Sequence, residues 1–281
     1  MLNRRRAWRV LIAGAGSPNP EILAHVLNLN GFQASWTDQL IVPDPKRIAK
    51  YEIVYGVYLQ GFDRHALVAK LFGKRTIVHI VGSDAYRFAR EPSFPKRVYW
   101  RLILNLCDIV LYVSPHLEQL VGHKGHVLSF PIERRFFDRP SIQRTKATRD
   151  VLYYCPSGPL NEKIYRLDWI FEYARTHPNE KITIVGSKPH PAQYRSKLRN
   201  VKIIPYVEHK LMPALYRKHR RLIRMTTEDG SPVMIHEALL SGLHVTYNDR
   251  EIIGVPEERD PTVFASKFRE ILETGRSPAS L

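Results

Sequence analysis

The sequence predicts an α/β protein made of two successive parallel-sheet domains. Short apolar runs alternate with segments of helical periodicity, which is the pattern of βα units. At 281 residues the chain is long enough for two compact domains of ordinary size. The alternation stops once, over the polar residues 139–150, and then restarts. We therefore place an interdomain linker over these residues.

The first domain is predicted over residues 1–140. Its first strand leads through Gly14-Ala15-Gly16-Ser17-Pro18-Asn19, a glycine-containing turn, into a helix. Strands and helices then alternate, and the strand that ends near residue 81 is followed by the turn Gly82-Ser83-Asp84. The predicted strands are 8–13, 51–58, 75–81 and 108–114, and the predicted helices are 20–29, 65–72, 98–106 and 115–121.

The second domain is predicted over residues 150–281, where continuous apolar runs again indicate strands that are buried on both faces. The C-terminal tail has room for one helix. The predicted strands are 151–155, 181–186, 201–205, 221–225 and 244–247, and the predicted helices are 164–176, 211–219, 232–241 and 263–273.

The charge balance indicates an anionic partner. The chain has 43 Lys and Arg against 27 Asp and Glu, a net charge of +16. Residues 1–150 hold 23 of the basic and 12 of the acidic residues, a net charge of +11. A phosphorylated substrate, an acidic membrane surface or a nucleic acid fits this excess. We do not expect nucleic acid as the partner, because no recognition motif with interleaved aromatic residues is found.

Cysteine usage and hydropathy predict a cytoplasmic protein. Cys107 and Cys155 lie in apolar stretches far apart in the sequence, which favours reduced thiols over a disulfide. The apolar run after the basic N-terminus is too short for a signal core, and no run approaches the roughly 20 apolar residues of a membrane span. No Cys/His cluster has zinc spacing, so we expect no metal.

The loop 225–232 is the most informative candidate site, because ligands bind beyond the carboxyl ends of parallel strands. We expect Gly230 to allow an unusual backbone, Ser231 to cap the following helix, and Pro232 to begin it. Free amides at that helix start suit a diphosphate. Glu237 lies about 7–8 Å further along, within reach of a neutral diol such as ribose. The alternative is a capped surface helix with two solvated acids.

The stretch Asp229-Gly230-Ser231-Pro232-Val233-Met234-Ile235-His236-Glu237-Ala238-Leu239-Leu240-Ser241-Gly242 resembles the acid-x7-acid, Glu-Ala and Gly pattern of retaining GT-B glycosyltransferases of the group 1 or family 4 type. This resemblance implies two Rossmann-like domains that face each other across a cleft. It also implies metal-independent transfer of a hexosyl group, with retention, from a nucleotide-diphospho-sugar to a hydroxyl of a glycan or lipid-linked acceptor. The donor is a substrate, and no other cofactor is implied.

The resemblance also implies residue roles at the donor site. In that family the first acid faces the transferred sugar, amides after it hold the donor phosphates, and the second acid binds the ribose. By position these roles fall on Asp229, on Gly230 and Ser231, and on Glu237. Glu228 precedes Asp229 and is the alternative for the first role. We place His236 of the same helix on the surface.

Two further donor elements are implied. The strand-to-glycine turn near the donor base is matched by Gly186, Ser187 and Lys188. Lys163 matches the family's lysine for the leaving diphosphate, whereas Gly158 occupies the place of its arginine. The candidates for a substitute cation are Lys188, Arg166 and Arg224.

On the acceptor side, the resemblance implies a role for residues at the ends of first-domain strands. They are Gly14, Gly16, Ser17, His79 and Asp84. For His79, a buried histidine with satisfied hydrogen bonds is the interpretation that we prefer. NAD is not expected, because Asn19 replaces the third glycine of the dinucleotide-binding series. The basic first domain suits a peripheral contact with the anionic inner face of a membrane.

Two alternatives to a glycosyltransferase stay open. The missing arginine, the reduced glycine content of the loop and the short C-terminal tail favour a catalytically silent GT-B-like binding or partner subunit. A nucleotide-sugar epimerase of the same architecture is the other, although the sequence identifies no acid and base for it.

Overall fold

The structure is a computed structural model. It describes residues 7–14, 19–38, 42–133, 136, 149–156, 158–186, 198–204 and 206–275. The chain divides into two compact units. The first contains the residues up to Arg134 together with the segment that begins at Glu257, and the second contains Arg135–Pro256.

The first unit is built on a six-stranded sheet in the order β2-β1-β3-β4-β5-β6, in which all neighbouring strands are parallel. The strands are β1 (Arg9–Gly14), β2 (Gln33–Asp38), β3 (Ile53–Val57), β4 (Arg75–Ile80), β5 (Ile109–Tyr112) and β6 (His126–Val127). The helices before the second unit are α1 (Asn19–Leu29), α2 (Pro45–Ala49), α3 (Asp63–Leu71), α4 (Ser83–Arg90), α5 (Phe94–Leu106) and α6 (Pro115–Val121).

The central strands were predictable because they are continuous apolar runs that the helices bury. Every residue of β3 and of β5 is buried. Four elements of this unit were not predicted: β2, α2, α4 and β6. α2 and β6 have only five and two residues. β2 is an edge strand of largely polar residues that are exposed or half-buried, so it has no apolar run to reveal it. α4 is short and starts directly at the turn that follows β4.

The second unit is also built on a six-stranded sheet, in the order β12-β11-β10-β7-β8-β9, with only β12 antiparallel to its neighbour. The strands are β7 (Arg149–Tyr154), β8 (Ile182–Val185), β9 (Val201–Ile204), β10 (His219–Arg224), β11 (His244–Tyr247) and β12 (Arg250–Glu251). The helices are α7 (Pro159–Ile164), α8 (Leu167–Thr176), α9 (Met212–Tyr216) and α10 (Val233–Leu240), with a 3-10 turn at His209–Leu211.

The predicted helix 164–176 begins only at Leu167, as α8, and a separate helix, α7, precedes it where we expected a loop. The break between the two helices lies at Tyr165 and Arg166. Arg166 adopts a left-handed conformation with φ of 47°. The hydroxyl of Tyr153 donates to the carbonyl oxygens of Tyr165 at 2.5 Å and of Arg166 at 3.3 Å. These carbonyls bond to a side chain from β7 rather than continuing the helix.

The end of the predicted linker differs from the structure. Residues 139–148 lie outside the described residues. Arg149 and Asp150, which we included in the linker, form the start of β7. Arg149 bonds to the carbonyl of Ile182 at 2.6 Å, and Asp150 accepts from the amide of Lys181 at 2.9 Å, so polar side chains at this strand start are used for pairing with β8.

The C-terminal helix α11 (Pro261–Thr274) belongs to the first unit, which corrects our assignment of 150–281 to one domain. A 3-10 turn at Glu257–Arg259 precedes it. The ring of Phe268 packs against Phe32 at 5.7 Å and Tyr55 at 5.6 Å. Arg269 donates to the carbonyl of Asn30 at 3.1 Å. One short helix is therefore enough to return the chain to the first sheet.

The core of the first unit contains a buried polar pair on β3 and β4. His79 is 0% exposed, and its Nδ1 lies 2.6 Å from the hydroxyl of Tyr55. Its Nε2 lies 2.9 Å from the carbonyl oxygen of Leu128. Burial lowers the pKa of His79 from its ordinary 6.5 to about 3. The folded protein therefore holds this imidazole in its neutral form.

This burial makes stability depend on pH. Below about pH 6.5 the unfolded chain protonates His79 while the folded chain does not, so the free energy of unfolding falls as the pH drops towards about 3. The slope from this one group is about 1.4 kcal/mol per pH unit. We predict that H79Q, whose amide can keep both hydrogen bonds, loses this part of the slope in urea unfolding between pH 7 and 5.

The matched control is H244Q, because His244 is on an exposed strand end. It should keep the pH slope of the unsubstituted protein. Parallel stability profiles for H79Q and the unsubstituted protein would show that His79 is not held neutral.

Candidate functional site

The loop 225–232 leaves the carboxyl end of β10, which lies between β7 and β11 in the second sheet. Three contacts fix it. The amide of Thr226 donates to Asn248 Oδ1 at 2.8 Å, and the hydroxyl of the same residue donates to the carbonyl of Glu228 at 2.9 Å. The amide of Thr227 donates to the carbonyl of Ile164 at 2.9 Å. The loop is thereby tied both to the end of β11 and to the end of α7.

A buried ion pair forms the base of this loop. Arg224, the last residue of β10, is 5% exposed, and its Nε and Nη2 lie 2.8 Å and 2.6 Å from Asp229 Oδ2. The guanidinium also stacks on the rings of Tyr165 and Tyr154, with centroids at 4.9 Å and 5.5 Å. Its Nη1 lies 3.1 Å from the sulfur of Met234.

These contacts bear on whether Arg224 can replace the arginine that is missing at position 158. Burial disfavours the charged guanidinium, but the Asp229 carboxylate more than offsets this, and the pKa of Arg224 is raised. Because its guanidinium is enclosed by Asp229, two aromatic rings and a thioether, Arg224 does not serve as the substitute phosphate cation that we considered. It holds Asp229 in place.

The start of α10 differs from our expectation. The helix begins at Val233, and Pro232 is its cap residue, with no side-chain hydrogen bond to the first turn. Ser231 therefore does not cap the helix, and Gly230 does not adopt a positive φ. The first turn of α10 keeps backbone amides that no capping side chain satisfies, which is the property that the proposed phosphate contact requires.

Glu237 lies on α10 and is almost fully buried, with its side chain 3% exposed. Its Oε1 lies 2.5 Å from His209 Nε2, and the hydroxyl of Tyr216 donates to its Oε2 at 3.0 Å. The ring of His209 packs against Phe136 at 5.7 Å. The neighbouring His236, which we expected on the surface, is buried. The second acid is thus part of a built polar cluster rather than a solvated surface carboxylate.

The loop after β7 places two of the predicted residues. Gly158 has φ of 117°, a conformation that residues with a side chain rarely adopt. This backbone conformation favours glycine at position 158, where retaining GT-B glycosyltransferases usually have arginine. Lys163 is exposed in the last turn of α7, next to Ile164, whose carbonyl bonds to the loop after β10. Lys163 and the Asp229 loop therefore lie on neighbouring, bonded segments.

The third predicted donor element is only partly described. Gly186 is buried at the end of β8, and its amide donates to the carbonyl of Ile204 at 3.2 Å. Ser187 and Lys188 lie outside the described residues.

In the first unit, the predicted acceptor-side residues that are described make contacts within the fold. A side chain on Gly14 would meet Pro20 at 2.3 Å, so glycine is needed where α1 packs on β1. Asp84 is buried and accepts from four backbone amides. The donors are the amides of Leu59, Val81, Gly82 and Ala85. His79 is enclosed as described above, so its ring is not available to an acceptor. Gly16 and Ser17 lie outside the described residues.

Two sets of contacts were not predicted. His209 and Tyr216 bond to Glu237, and Tyr154 and Tyr165 enclose Arg224. One signal was present, because an arginine that ends an apolar strand run needs a buried partner. No sequence signal linked His209 to Glu237, since they are brought together by the packing of α9 and α10.

Many solved structures have a similar fold. HepE of Anabaena in complex with UDP-glucose superimposes with a TM-score of 0.62 at 12% identity, over 95% of this chain and 90% of HepE. Sucrose-phosphate synthase from Thermosynechococcus elongatus superimposes with a TM-score of 0.59 at 13% identity, over 96% of this chain and 90% of the synthase. UDP-GlcNAc 2-epimerase from Methanocaldococcus jannaschii superimposes with a TM-score of 0.55 at 12% identity, over 94% of this chain and 99% of the epimerase. This chain has the GT-B fold. No protein-family model and no curated protein matches its sequence.

The GT-B fold confirms the prediction of two parallel-sheet α/β domains. In the portion of this GT-B chain that is described, no helix is long and apolar enough to cross a membrane. Within the same residues, no group of three or more His, Cys, Asp or Glu side chains is placed to hold a metal ion.

The buried pair gives a stability prediction. R224M should leave the Asp229 carboxylate buried without its cation and cost about 3–5 kcal/mol, because an uncompensated buried charge is strongly unfavourable. In a double-mutant cycle with D229N, the coupling energy should exceed about 1.5 kcal/mol. Hydrogen exchange of the β10 peptide measures it, since the two units need not unfold together.

The pair Arg175 and Glu172 on α8 is the control, because both side chains are more than half exposed. The double-mutant cycle for this exposed pair should give a coupling energy of about 0.5 kcal/mol or less. Equal coupling energies for the two pairs would show that the Arg224 pair does not hold the loop.

Proposed function

We propose that this chain is a retaining, metal-independent glycosyltransferase. It moves a sugar from a nucleotide-diphospho-sugar to a hydroxyl of a glycan or a lipid-linked acceptor. The GT-B fold supports this class of enzyme, since proteins of similar structure include a complex with UDP-glucose, a sucrose-phosphate synthase and a UDP-GlcNAc 2-epimerase. Cys107 and Cys155 are free thiols, which supports a cytoplasmic location.

The observation that carries the proposal is the arrangement at the carboxyl end of β10. One short loop joins a fixed carboxylate, Asp229, to uncapped amides at the start of α10. A hydrogen bond from Thr227 to Ile164 brings Lys163 of α7 to the same place. An acid for the sugar, amides for the diphosphate and a cation for the leaving group are the parts that this transfer needs.

We place the donor ribose at Glu237 together with His209. A carboxylate has about four acceptor positions, so two protein donors leave capacity for a ribose hydroxyl. His209 covers Glu237 and is itself partly exposed. The ribose therefore either contacts both side chains or displaces the imidazole. In both cases the hydrogen bonds to His209 and Tyr216 fix the carboxylate before the donor arrives.

In the proposed reaction, the bond between the sugar and the diphosphate breaks while the acceptor hydroxyl attacks on the same face of the sugar. Negative charge grows on the departing diphosphate. Lys163 and the amides of Gly230 and Ser231 stabilise that charge. Gly186, Ser187 and Lys188 line the nucleotide base, and Asp229, or Glu228 beside it, faces the transferred sugar. Gly14, Gly16 and Ser17 stay on the acceptor side in this proposal.

Donor binding is tested first. We expect nucleotide diphospho-sugars, with UDP-glucose and UDP-GlcNAc as the first probes, to raise the melting temperature of the protein. E237Q keeps the size of the side chain but removes the charge that a ribose hydroxyl donates to. Its affinity for UDP should fall about tenfold or more, since a hydrogen bond to a charged group contributes about 1.5–3 kcal/mol. Isothermal titration calorimetry measures the difference.

E270Q, on the C-terminal helix of the first unit, is the control and should bind UDP like the unsubstituted protein. Inorganic pyrophosphate should bind E237Q and the unsubstituted protein equally, because it lacks the ribose. If no nucleotide raises the melting temperature, and E237Q changes nothing, the proposed donor site is wrong.

Lys163 provides the second test. Since its side chain is exposed, K163A should leave the fold intact. If Lys163 stabilises charge that develops only in the transition state, hydrolysis or transfer from the donor should lose about 10²-fold or more in kcat with little change in KM. K202A, an exposed lysine on β9, should keep full activity. An equal kcat for K163A and K202A would remove Lys163 from the mechanism.

The epimerase remains the second candidate, because the epimerase from M. jannaschii matches over 99% of its own chain. Conversion of one nucleotide sugar into another without any acceptor would favour it. Donor binding without turnover of any kind would favour a silent GT-B-like subunit, for which the glycine backbone at position 158 is the supporting observation.

A further inference from the structure

Helix α5 carries an apolar stripe on its solvent side. Phe94, Val98 and Leu102 recur every four residues and are 68%, 41% and 60% exposed. At about 100° per residue, they lie on one side of the helix, opposite the buried Ile103 and Leu104. An amphipathic helix normally has polar residues on this side, so the stripe is not explained by the fold.

Helix α3 repeats the pattern. Leu67 and Leu71 are 46% and 85% exposed, and Phe72 directly after the helix is 47% exposed. By the same helical geometry Leu67 and Leu71 lie opposite the buried His65 and Ala69. With Tyr99, these two helices hold seven of the fifteen large apolar side chains that are exposed among the described residues.

The two stripes belong to one surface. α3 connects β3 to β4 and α5 lies between β4 and β5, so both crossovers run in the same direction along the sheet. Right-handed crossovers in one direction place their helices on the same face of a sheet. The hydroxyl of Tyr99 on α5 donates to Asp63 on α3 at 2.6 Å, which joins the helices directly. Their outer sides therefore face solvent together.

Cations surround this surface. Residues 63–106 contain nine Lys and Arg and three Asp and Glu, a net charge of +6, and α5 itself has no acidic residue. The acidic side chains at its border have partners. Asp63 bonds to Tyr99, Asp108 to Lys70 at 2.6 Å, and Glu91 to Lys96 at 3.9 Å. Lys70 and Lys96 are thus paired with acids, whereas Arg64, Arg97 and Arg101 are exposed side chains outside these pairs.

We propose that the outer sides of α3 and α5 form a docking surface for an anionic lipid bilayer. Apolar and aromatic side chains enter the region below the headgroups, while Arg64, Arg97 and Arg101 contact lipid phosphates. The net charge of +6 over residues 63–106 complements anionic headgroups, whereas a second copy of the chain would present the same positive charge. This surface is independent of the donor chemistry proposed above. It does not use the basic clusters at 4–6 and 134–135, which lie outside the described residues.

The test is co-sedimentation of the full chain with vesicles of phosphatidylcholine that contain 30% phosphatidylglycerol. The protein should bind these vesicles and not vesicles of pure phosphatidylcholine. V98E/L102E places two anions in the stripe and should reduce binding at least tenfold. R64Q/R97Q should reduce it about fivefold for each cation removed. These side chains are exposed, so the variants should melt like the unsubstituted protein.

Two controls match these variants. I253E changes an exposed apolar residue of the second unit, and K181Q/K202Q removes two exposed cations there. Both should bind vesicles like the unsubstituted protein. The proposal is overturned if V98E/L102E binds as well as I253E, or if the chain ignores anionic vesicles. It is also overturned if light scattering shows that V98E/L102E dissociates a dimer, which would make this surface an interface between copies.

Discussion

The second unit depends on the ion pair between Arg224 and Asp229. An arginine at the end of a buried strand must be desolvated when β10 joins the sheet, and this is unfavourable without a partner. The partner comes from only five residues away, so the loop after β10 has to turn back on the strand. Tyr154 and Tyr165 close the enclosure from β7 and α7 and favour the cation further. One buried charge thus fixes the path of the loop.

The position of the remaining donor-site groups follows from that path. With Asp229 held, the next residues lead into α10, and Met234 on its first turn contacts the same guanidinium. α10 then places Glu237 between Tyr216 and His209. Lys163 is located by the end of α7, which bonds to the loop through Thr227. The chemical groups of the proposed site therefore depend on backbone that a single ion pair orients.

The alternation of strands and helices and the place of α10 were predictable, because apolar runs and turn residues are local signals. The pairings across the fold were not. Nothing in the local sequence connects His209 to Glu237, or Tyr153 to the carbonyl of Tyr165, since each contact forms only when separate elements pack. The return of α11 to the first sheet was missed for the same reason, as Phe268 finds Phe32 and Tyr55 far away in the sequence. Edge strand β2 was missed because its residues have little apolar character.

Each unit also buries a carboxylate at the carboxyl ends of its strands. The two carboxylates have different hydrogen-bond partners, and this difference has opposite consequences for anion binding. Asp84 accepts four backbone amides, and those amides are then unavailable to a ligand. Asp229 takes its compensation from a guanidinium, and no capping side chain bonds to the amides in the first turn of α10. A bare carboxylate about 4 Å from a phosphate would cost about 4 kcal/mol at an effective dielectric constant near 20. The pair of Asp229 and Arg224 has no net charge, so it does not repel a diphosphate as a bare carboxylate would. An acid beside a diphosphate is therefore compatible with anion binding in the second unit.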